Sequence, residues 1–311
     1  MSSYLLRRLW QSVPTLAGVL LFVFFLFNWV GGDPAYLLAG KMPNPEQIEN
    51  IRRSLGVDQP YWVQLWIFVK QVATADFGAS WSTNERVSEI FATRLGPSLT
   101  VLLPLLFIGT IFSLAAAMLV AYVRGSLTDR AVMIACTAAQ SVSILVYILV
   151  LQYVLAYQLG WFPVQGWGST LRENLGYAAL PILVGLVVSL APDIRLYRSF
   201  LLEEIGQDYV RTARAKGLSE RRVLWLHVLR NAAIPIATNV LIQLPGLLAG
   251  AFLIERFFSI PGIGREVILA VERSDFPIIK AVTVYVAVAT LLVNLLSDVL
   301  YKALDPRVQL K

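Results

Sequence analysis

Six long apolar blocks constrain this chain more than any other feature of its sequence. They occupy residues 9–30, 99–123, 131–157, 177–194, 232–254 and 281–301. Each block approaches or exceeds the ~18 apolar residues that a helix needs to cross a bilayer. We therefore predict an all-α polytopic membrane protein with about six transmembrane helices. The fourth block is the weakest, because it is short and ends at Pro192 and Asp193.

The composition excludes a water-soluble core of this size. Hydrophobic residues make up 57% of the 311 residues and charged residues only 15%, whereas about a quarter of an ordinary soluble domain is charged. The first block imitates a secretory signal, because Arg7 and Arg8 precede it. It is longer than the ~7–15 residue core of a signal, and no Ala-x-Ala site follows. We expect an uncleaved anchor span.

Basic residues cluster in the loop 195–231, between the fourth and fifth predicted spans. This loop holds eight Arg and Lys residues against four acids. If Arg7 and Arg8 lie inside, six spans place this loop and both termini in the cytoplasm, as the positive-inside rule requires. The net charge of +6 therefore reports membrane topology and gives no reason to expect a nucleic-acid partner.

A loop of 64 residues, 31–94, separates the first two predicted spans and is expected to face the extracytoplasmic side. Within it Trp62, Leu65, Trp66 and Val69 recur at helical spacing, which predicts a helix lying in the membrane interface. The alternative is a core helix of a small folded loop domain.

Enzyme signatures are absent from the sequence. It has no phosphate-binding loop of the Gly-x-x-x-x-Gly-Lys-Ser/Thr type, no His-Glu-x-x-His and no Gly-x-Ser-x-Gly. Cys136 is the single cysteine and His227 the single histidine. We therefore expect no catalytic residue, no disulfide and no metal site in this chain.

Charge is scarce inside the predicted spans, which argues against an ion-coupled carrier. Asp193 and Asp298 lie near span ends. Neutral polar residues are commoner, and they could line a path that tolerates varied solutes. The candidates in the third and fifth spans are Gln140, Ser141, Ser143, Asn239 and Gln243. The alternative for each is a hydrogen bond between packed helices.

Within the basic loop, local signals predict a helix, a sharp turn and a second helix. Asp208 is a predicted N-cap for a helix at 209–216, and Gly217 fits the left-handed position that ends it. Leu218 then follows as its hydrophobic partner. Ser219 can cap a second helix that starts at Glu220.

The first helix of this loop has the character of a docking element. Its small residues are Thr212, Ala213 and Ala215, and its bases are Arg211, Arg214 and Lys216. A slim, basic helix can seat in the groove of a partner protein. The alternative is a solvated loop against anionic lipid, but a mere charge cluster needs no caps.

The last outer loop, 255–280, contains an apolar stretch rich in turn residues. Its sequence is Phe257-Phe258-Ser259-Ile260-Pro261-Gly262-Ile263-Gly264. Glycine and proline there predict a tight re-entrant turn, or a plug near the mouth of the path.

Taken together, these motifs resemble ATP-binding-cassette (ABC) importer permeases. The segments YVRTARAKGLS at 209–219 and HVLRNAAIP at 227–235 are similar to the cytoplasmic loop of these permeases, and most similar to the first, B-type permease of the dipeptide, oligopeptide and nickel branch. The general loop pattern is Glu-Ala-Ala, three residues, Gly. Arg211 and Thr212 depart from it, whereas Ala213 and Gly217 agree. Arg-Thr-Ala is usual in the peptide branch.

Weaker motifs extend the resemblance over most of the chain. In order they are Arg7-Arg8, Gly32-Asp33-Pro34, Leu55-Gly56-Val57-Asp58-Gln59-Pro60, Asp76-Phe77-Gly78-Ala79-Ser80, Glu255 with the 257–264 stretch, Asp275-Phe276-Pro277 and Asp305-Pro306-Arg307. Each motif alone is weak, but the ordered set is specific.

The resemblance implies a type I ABC importer permease fold and a set of partners. These are a second homologous permease subunit, two cytoplasmic ATPases that carry ATP and Mg, an extracytoplasmic solute-binding protein, and membrane lipid. The residues implied to contact an ATPase are Asp208, Tyr209, Arg211, Thr212, Ala213, Arg214, Lys216, Gly217 and Ser219. Those implied to contact the binding protein or gate the path are Phe257, Phe258, Pro261, Gly262 and Gly264. No cofactor is expected in this chain itself.

The resemblance also implies a location, a division of the chain and a cargo. We expect a bacterial inner-membrane protein with an anchor span and outer loop at 1–94 and a five-span permease core at 95–311. Di- or oligopeptides are the expected substrates, with nickel or glutathione as alternatives. The single His and Cys give this chain few ligands for nickel. A self-sufficient channel, an ion-coupled carrier, a membrane scaffold and an intramembrane enzyme are the weaker alternatives.

Overall fold

The computed structural model describes residues 2–30, 33–39, 44–249 and 251–304, and this part of the chain is built from α-helices. Gly32 and the Asp305-Pro306-Arg307 motif lie outside the described residues, as do the side chains of Arg7, Arg8 and Asp298. The first helix, α1, is Ser2–Phe25 and continues as a π-helical turn, Leu26–Val30. Three shorter helices follow, α2 at Pro34–Ala39, α3 at Pro45–Leu55 and α4 at Tyr61–Thr74.

The remaining helices run as follows. Helix α5 is Val87–Tyr122, α6 is Leu127–Gln140, α7 is Ile144–Leu151 with a π-helical extension Gln152–Gln158, and α8 is Leu171–Ile205. Helix α9 is Asp208–Ala215, α10 is Glu220–Val223 with a π-helical turn Leu224–Val228, and α11 is Leu229–Ala249. Helices α12, α13 and α14 are Phe252–Phe257, Ile263–Glu272 and Phe276–Leu304.

Several of these helices are suited to a membrane. Within the described residues, the stretches Trp10–Trp29, Val87–Tyr122, Leu171–Ile205 and Phe276–Ser297 are long and apolar enough to cross, and a bent pair can count as a fifth span. The prediction of an all-α polytopic membrane protein is confirmed. Six spans stay a prediction, because the helix at the fifth predicted position, α11, is not among these candidates.

The third predicted span differs from the prediction of one helix at 131–157. Helices α6 and α7 meet at an angle of 92°. The bend is possible because local groups replace the broken helical hydrogen bonds. The Ser143 hydroxyl accepts from the Leu145 N–H at 3.3 Å, and the Tyr147 hydroxyl donates to the Ala139 carbonyl at 3.0 Å. The apolar run is thus one block in sequence but two helices in space.

The fourth predicted span, by contrast, belongs to a helix much longer than the predicted 177–194. Thr170 and Glu173 form a capping box at its start, and the helix passes Pro181 and Pro192 without a break. Gly185 lets helix α5 approach closely, since a Cβ there would lie 2.8 Å from a Leu105 methyl. Helices α5 and α8 therefore pack as a central pair.

Three buried clusters hold the described helices together. One joins α1, α4, α13 and α14, one lies under the basic loop, and one joins α5, α7, α8 and α12. Helix α4 confirms the predicted helix in the first outer loop, with Trp62 and Trp66 exposed on it and Phe68 buried beneath it. Helix α5 runs through residue 94, so the division of the chain at 94 stays a proposal.

Candidate functional site

Helix α9 is mounted on the ends of the central helices. Val210 and Ala213 are buried in the cluster that includes Met118 of α5 and Leu201 of α8. The opposite face of α9 is exposed and carries Arg211, with Thr212, Arg214 and Lys216 around it. The helix is thus fixed along one side and free along the other. Ala213 faces its own chain, so it cannot be a contact for a docked partner.

At its N-terminus, α9 differs from the prediction by one position. Asp208 was expected to cap the helix, but it is the first helical residue, and Gln207 holds the N-cap position without a side-chain hydrogen bond. The Asp208 carboxylate instead lies 3.4 Å from the Arg211 guanidinium. Its negative charge still lies in the first turn, where it complements the helix dipole.

The predicted turn after α9 is confirmed. Gly217 has φ +79°, in the left-handed region. The Gly217 N–H donates to the Arg214 carbonyl, and the Leu218 N–H donates to the Ala213 carbonyl at 3.4 Å. This second bond is the one expected when a left-handed glycine ends a helix. Ser219 occupies the N-cap position of α10, but its side chain makes no capping hydrogen bond.

An ion pair braces α9 against α10. The Arg214 Nε lies 2.7 Å from one Glu220 carboxylate oxygen, and its Nη2 lies 3.2 Å from the other. Two parallel bonds fix a guanidinium more firmly than one contact does. Arg214 therefore holds the shape of the loop, whereas Arg211, with a side chain 75% exposed, presents its charge outward.

Tyr209 ties α9 to the helices on either side. Its hydroxyl donates to the Glu204 carboxylate at the end of α8, and it also interacts with the Asn231 side chain in α11. Partial burial, and then the hydrogen bond to Glu204, raise the pKa of Tyr209 to about 12. Sequence reasoning missed Glu204 and Asn231, because nothing in their local pattern marks them as partners.

A second ion pair braces the same end of α8. The Arg198 guanidinium lies 2.7 Å from the Asp129 carboxylate at the start of α6. The same carboxylate accepts the Gly125 N–H at 2.9 Å. A sequence reading counts Asp129 and Arg198 only as loop charges, since they are far apart in the chain. Together with the Tyr209–Glu204 hydrogen bond, this pair connects the end of α8 to α9 and to the start of α6.

The candidate path residues divide between two helices that both touch α8. The Gln140 side-chain oxygen accepts from Arg195 at 3.1 Å, at the α6–α7 bend where Ser141 and Ser143 also lie. The Asn239 amide donates to the Tyr197 hydroxyl at 3.2 Å. Gln243 is exposed one turn further along α11. Arg195 and Tyr197 are two residues apart and therefore point to different faces of α8, so α8 lies between the two sets.

The 257–264 stretch is a packed turn organised by one carboxylate. Glu255 is fully buried and accepts from the Ser98 hydroxyl at 2.8 Å, the Ala251 N–H at 3.0 Å and the Arg265 N–H at 3.1 Å. The Ser98 hydroxyl in turn accepts from the Ile263 N–H at 2.8 Å. This network joins α12 and α13 to the start of α5.

The predicted contact residues in this stretch are mostly internal. Phe258 is 1% exposed, and Gly262 and Gly264 are buried. A Cβ at Gly262 would collide with the Glu255 carboxylate, and one at Gly264 would lie 2.8 Å from the Phe252 backbone nitrogen. The glycines therefore allow close approach. Phe257 and Pro261 are partly exposed.

A second buried carboxylate, Asp275, fixes the first outer loop to the last helix. It accepts from the Trp81 N–H, the Ser82 N–H and the Ser82 hydroxyl at 3.1, 3.1 and 2.8 Å, and from the Ser80 hydroxyl. The motifs at 76–80 and 275–277 are thus neighbours in space. The Asp275 carboxylate accepts the hydrogen bonds that the residues at 80–82 donate.

These features describe a helical scaffold with a rigidly held basic connection. The described residues include no group of three His, Cys, Asp or Glu side chains that could hold a metal ion. What they do include is a bundle of long apolar helices with a braced basic helix on one connection. This arrangement is typical of a membrane subunit that works together with another chain.

Comparison with known proteins identifies the family. The model for the binding-protein-dependent transport system inner membrane component matches residues 109–310, and the model for the N-terminal part of such membrane components matches residues 1–102. The chain belongs to this family of ABC importer permeases. It is 34% identical to the glutathione transport system permease protein GsiC of Escherichia coli (strain K12), over 100% of both chains.

A second relative carries a different cargo in its name. It is the "Probable peptide ABC transporter permease protein y4tP" of Sinorhizobium fredii (strain NBRC 101917 / NGR234). The chain is 35% identical to it, over 99% of this chain and 100% of the relative. This protein is therefore a multi-pass inner-membrane permease subunit of a peptide/glutathione-type ABC importer, and a transport subunit rather than an enzyme. Permeases of this family work with ATPase and substrate-binding proteins.

Proposed function

We propose that this chain forms half of a translocation path for short peptides, beside a second homologous permease subunit. Two cytoplasmic ATPases carrying ATP and Mg drive the cycle, and an extracytoplasmic binding protein delivers the cargo. The excess of bases in 195–231 supports a cytoplasmic position for this loop and for both termini. The 1–94 segment then supplies the anchor span and the main outer loop.

Helix α9 is the coupling helix in this proposal. The observation that carries it is the one-sided mounting of α9, buried at Val210 and Ala213 and exposed along its basic face. A partner that grips the exposed face moves α8 through the Tyr209–Glu204 hydrogen bond, and the Arg198–Asp129 pair passes that motion from α8 to α6. Motion of the ATPase thereby becomes rigid-body switching of the spans.

Charge reversal at two exposed bases, Arg211 of α9 and Lys216 at its C-terminal end, tests this assignment. Arg211→Glu combined with Lys216→Glu changes exposed side chains without breaking the Arg214–Glu220 brace. We expect loss of ATPase co-purification and of peptide uptake in the assembled transporter. The matched control is Arg273→Glu, an exposed base just after α13. Full ATPase binding and uptake in the double variant would reject α9 as the coupling helix.

The proposed path runs past α8, between the α6–α7 bend and α11. Gln140, Ser141 and Ser143 line it from one side, and Asn239 and Gln243 from the other. The neutral polarity of these side chains supports the proposal, and Arg195 and Tyr197 contact one member of each set from different faces of α8. At its outer mouth, Phe257 and Pro261 are the proposed contacts for the binding protein. Phe258, Gly262 and Gly264 keep the turn in shape.

Short peptides are the proposed cargo because the two relatives are named for peptides and for glutathione, itself a tripeptide. The test measures ATPase stimulation of the complete complex in liposomes with its binding protein. Di- and tripeptides, glutathione and nickel chelates are compared. Stimulation by peptides supports the proposal, whereas stimulation by glutathione alone narrows the cargo to that tripeptide. Stimulation by nickel alone would overturn the peptide assignment.

A further inference from the structure

A cavity of about 510 Å³ lies between the first span, the first outer loop and the start of the last helix. Phe24 and Phe27 of α1 and Phe68 of α4 line one side, and Phe276 and Lys280 of α14 line another. Its volume lies within the range of ligand sites. Neither the path nor the coupling helix uses this cavity, and it belongs to the end of the molecule that carries α12 and α13.

Lys280 is the unusual residue of this cavity. Its amine lies 5.5 Å from the centroid of the Phe27 ring, and among the described residues no carboxylate lies within 4 Å of it. The acid nearest to Lys280 in the sequence is Asp275, and the acid in the cavity lining is Asp33. Both carboxylates already accept hydrogen bonds from other residues. Asp275 accepts four bonds from residues 80–82, and Asp33 accepts the Arg52 Nε at 2.7 Å.

The lining mixes aromatic rings with polar side chains such as Asn28 and Gln64, and a cation in such a cavity at the end of a span calls for an anionic partner. The phenylalanine rings offer apolar surface for the rest of the same ligand. A lining with both polar side chains and aromatic rings favours an amphiphile with a negative head over a small hydrophilic anion, because only the amphiphile also covers the rings.

The depth of the cavity indicates where that amphiphile comes from. The Phe27 and Phe276 rings are in contact, with centroids 5.4 Å apart, so the ends of α1 and α14 lie level with each other. Around this level Trp29, Trp62 and Trp66 are 67%, 74% and 68% exposed. Exposed tryptophans are typical of the membrane–water interface, where lipid phosphates lie.

We propose that this cavity binds the head group and upper acyl chains of an anionic phospholipid, with its phosphate on Lys280. Zwitterionic lipids carry the same phosphate but also a compensating amine, so the site prefers a lipid with net negative charge. The bound lipid fills the space between α1 and α14 and joins the anchor span to the last helix.

Photoaffinity labelling of the complete transporter tests this site. The probes are photoactivatable phosphatidylglycerol and phosphatidylcholine with identical acyl chains, and the labelled residues are mapped by mass spectrometry. We expect phosphatidylglycerol to label residues 24–28 and 276–280 preferentially. Lys280→Met should lower that labelling about fivefold, because one lysine near the membrane surface contributes ~1 kcal/mol of lipid attraction. Lys280→Arg should retain it.

The matched control is Lys70→Met, which removes an exposed lysine of α4 outside the cavity lining and should leave the labelling unchanged. Should Lys280→Met fail to assemble, the wild-type comparison of the two probes still decides. Equal labelling by both lipids, or no label at these residues, would overturn the proposal. Displacement of the label by millimolar inorganic phosphate would show a site for free anions and would also overturn it.

Discussion

The α9 end and the α12 end of this molecule use their charges differently. At the α9 end the bases of the loop are largely exposed, and the acids pair with neighbouring side chains, as Glu220 does with Arg214. At the α12 end Glu255 and Asp275 are fully buried and accept several N–H and O–H groups each. The exposed bases at the α9 end remain available to a partner, whereas the buried carboxylates at the α12 end bind groups of the same chain.

Motifs that resemble the same family can therefore have different structural roles in this chain. The segments 209–219 and 257–264 both belong to the set that resembles importer permeases. Exposure leaves the first available as the proposed docking surface, whereas burial makes the second a joint between helices that hydrogen bonds hold in one geometry. Substitutions at the α12 end should therefore affect stability most, and those at the α9 end should affect coupling most.

The largest expected effect is on the stability of the α12 end. Glu255→Gln replaces a carboxylate oxygen by an amide NH₂ that faces N–H donors, so at least one buried donor loses its acceptor. We expect a loss of about 3 kcal/mol in the free energy of unfolding, measured by thermal unfolding of the complex in detergent. Glu272→Gln, at an exposed pair with Arg256, serves as control and should be nearly neutral. A neutral Glu255→Gln would show that the buried charge is dispensable.

Asp275→Asn should have a smaller effect at the same end. The amide retains one acceptor for the Trp81 N–H but presents NH₂ to the Ser82 N–H, which costs about 2 kcal/mol. Loss of this tie should expose the 76–86 segment, so limited proteolysis there should accelerate. Asp76→Asn is the matched control, because the exposed Asp76 carboxylate accepts the nearby Gly78 N–H and no other hydrogen bond from the described residues. Equal cleavage rates would contradict the role of Asp275.

The contrast between the two ends also explains which features could be predicted from the sequence and which could not. The turn at Gly217 was predictable, because a helix C-terminus is encoded within a few residues. The burial of Phe258 and Gly262 was not, because it depends on a hydrogen bond between Ser98 and Glu255, 157 residues apart. Asp208 was misplaced by one position for a local reason, since Gln207 could serve as N-cap without a side-chain bond.

The bend between α6 and α7 was hidden in a continuous apolar run. Hydropathy gives the length of an apolar block but does not show whether the helix within it is straight or bent. The available signal was the pair Ser141 and Ser143, which we considered for the path or for a hydrogen bond between helices, whereas Ser143 caps α7. The all-α class and the order of the long helices followed from composition and length, whereas the joints between helices required long-range contacts.

At the α9 end, Gly217→Ala tests the turn. A Cβ there meets no atom within 4 Å, but φ is +79°, so the cost is conformational and amounts to ~1–2 kcal/mol. We expect reduced coupling of ATP hydrolysis to uptake, because α9 leaves its orientation. Gly176→Ala is the control, since Gly176 is helical with open space around it and alanine there should be neutral or stabilising. If Gly217→Ala and Gly176→Ala showed similar coupling, the orientation of α9 would not control transport.

The smallest expected effect concerns the Tyr209 hydroxyl. Tyr209→Phe removes the hydrogen bond to Glu204 and should cost ~0.5–1 kcal/mol of stability at neutral pH. The pKa of Tyr209 is raised to about 12 from an ordinary value of 10.0. The hydroxyl therefore contributes its full stabilisation below pH 10 and loses it as the pH rises towards 12.

Unfolding measured from pH 8 to 11 should thus show a gap between wild type and Tyr209→Phe that narrows above pH 10. Tyr157→Phe, at an exposed tyrosine far from α9, controls for general tyrosine ionisation. A gap that stays constant to pH 11 would mean that the hydroxyl does not carry the link between α8 and α9. In that case the Arg214–Glu220 brace and the buried face of α9 would have to transmit motion by themselves.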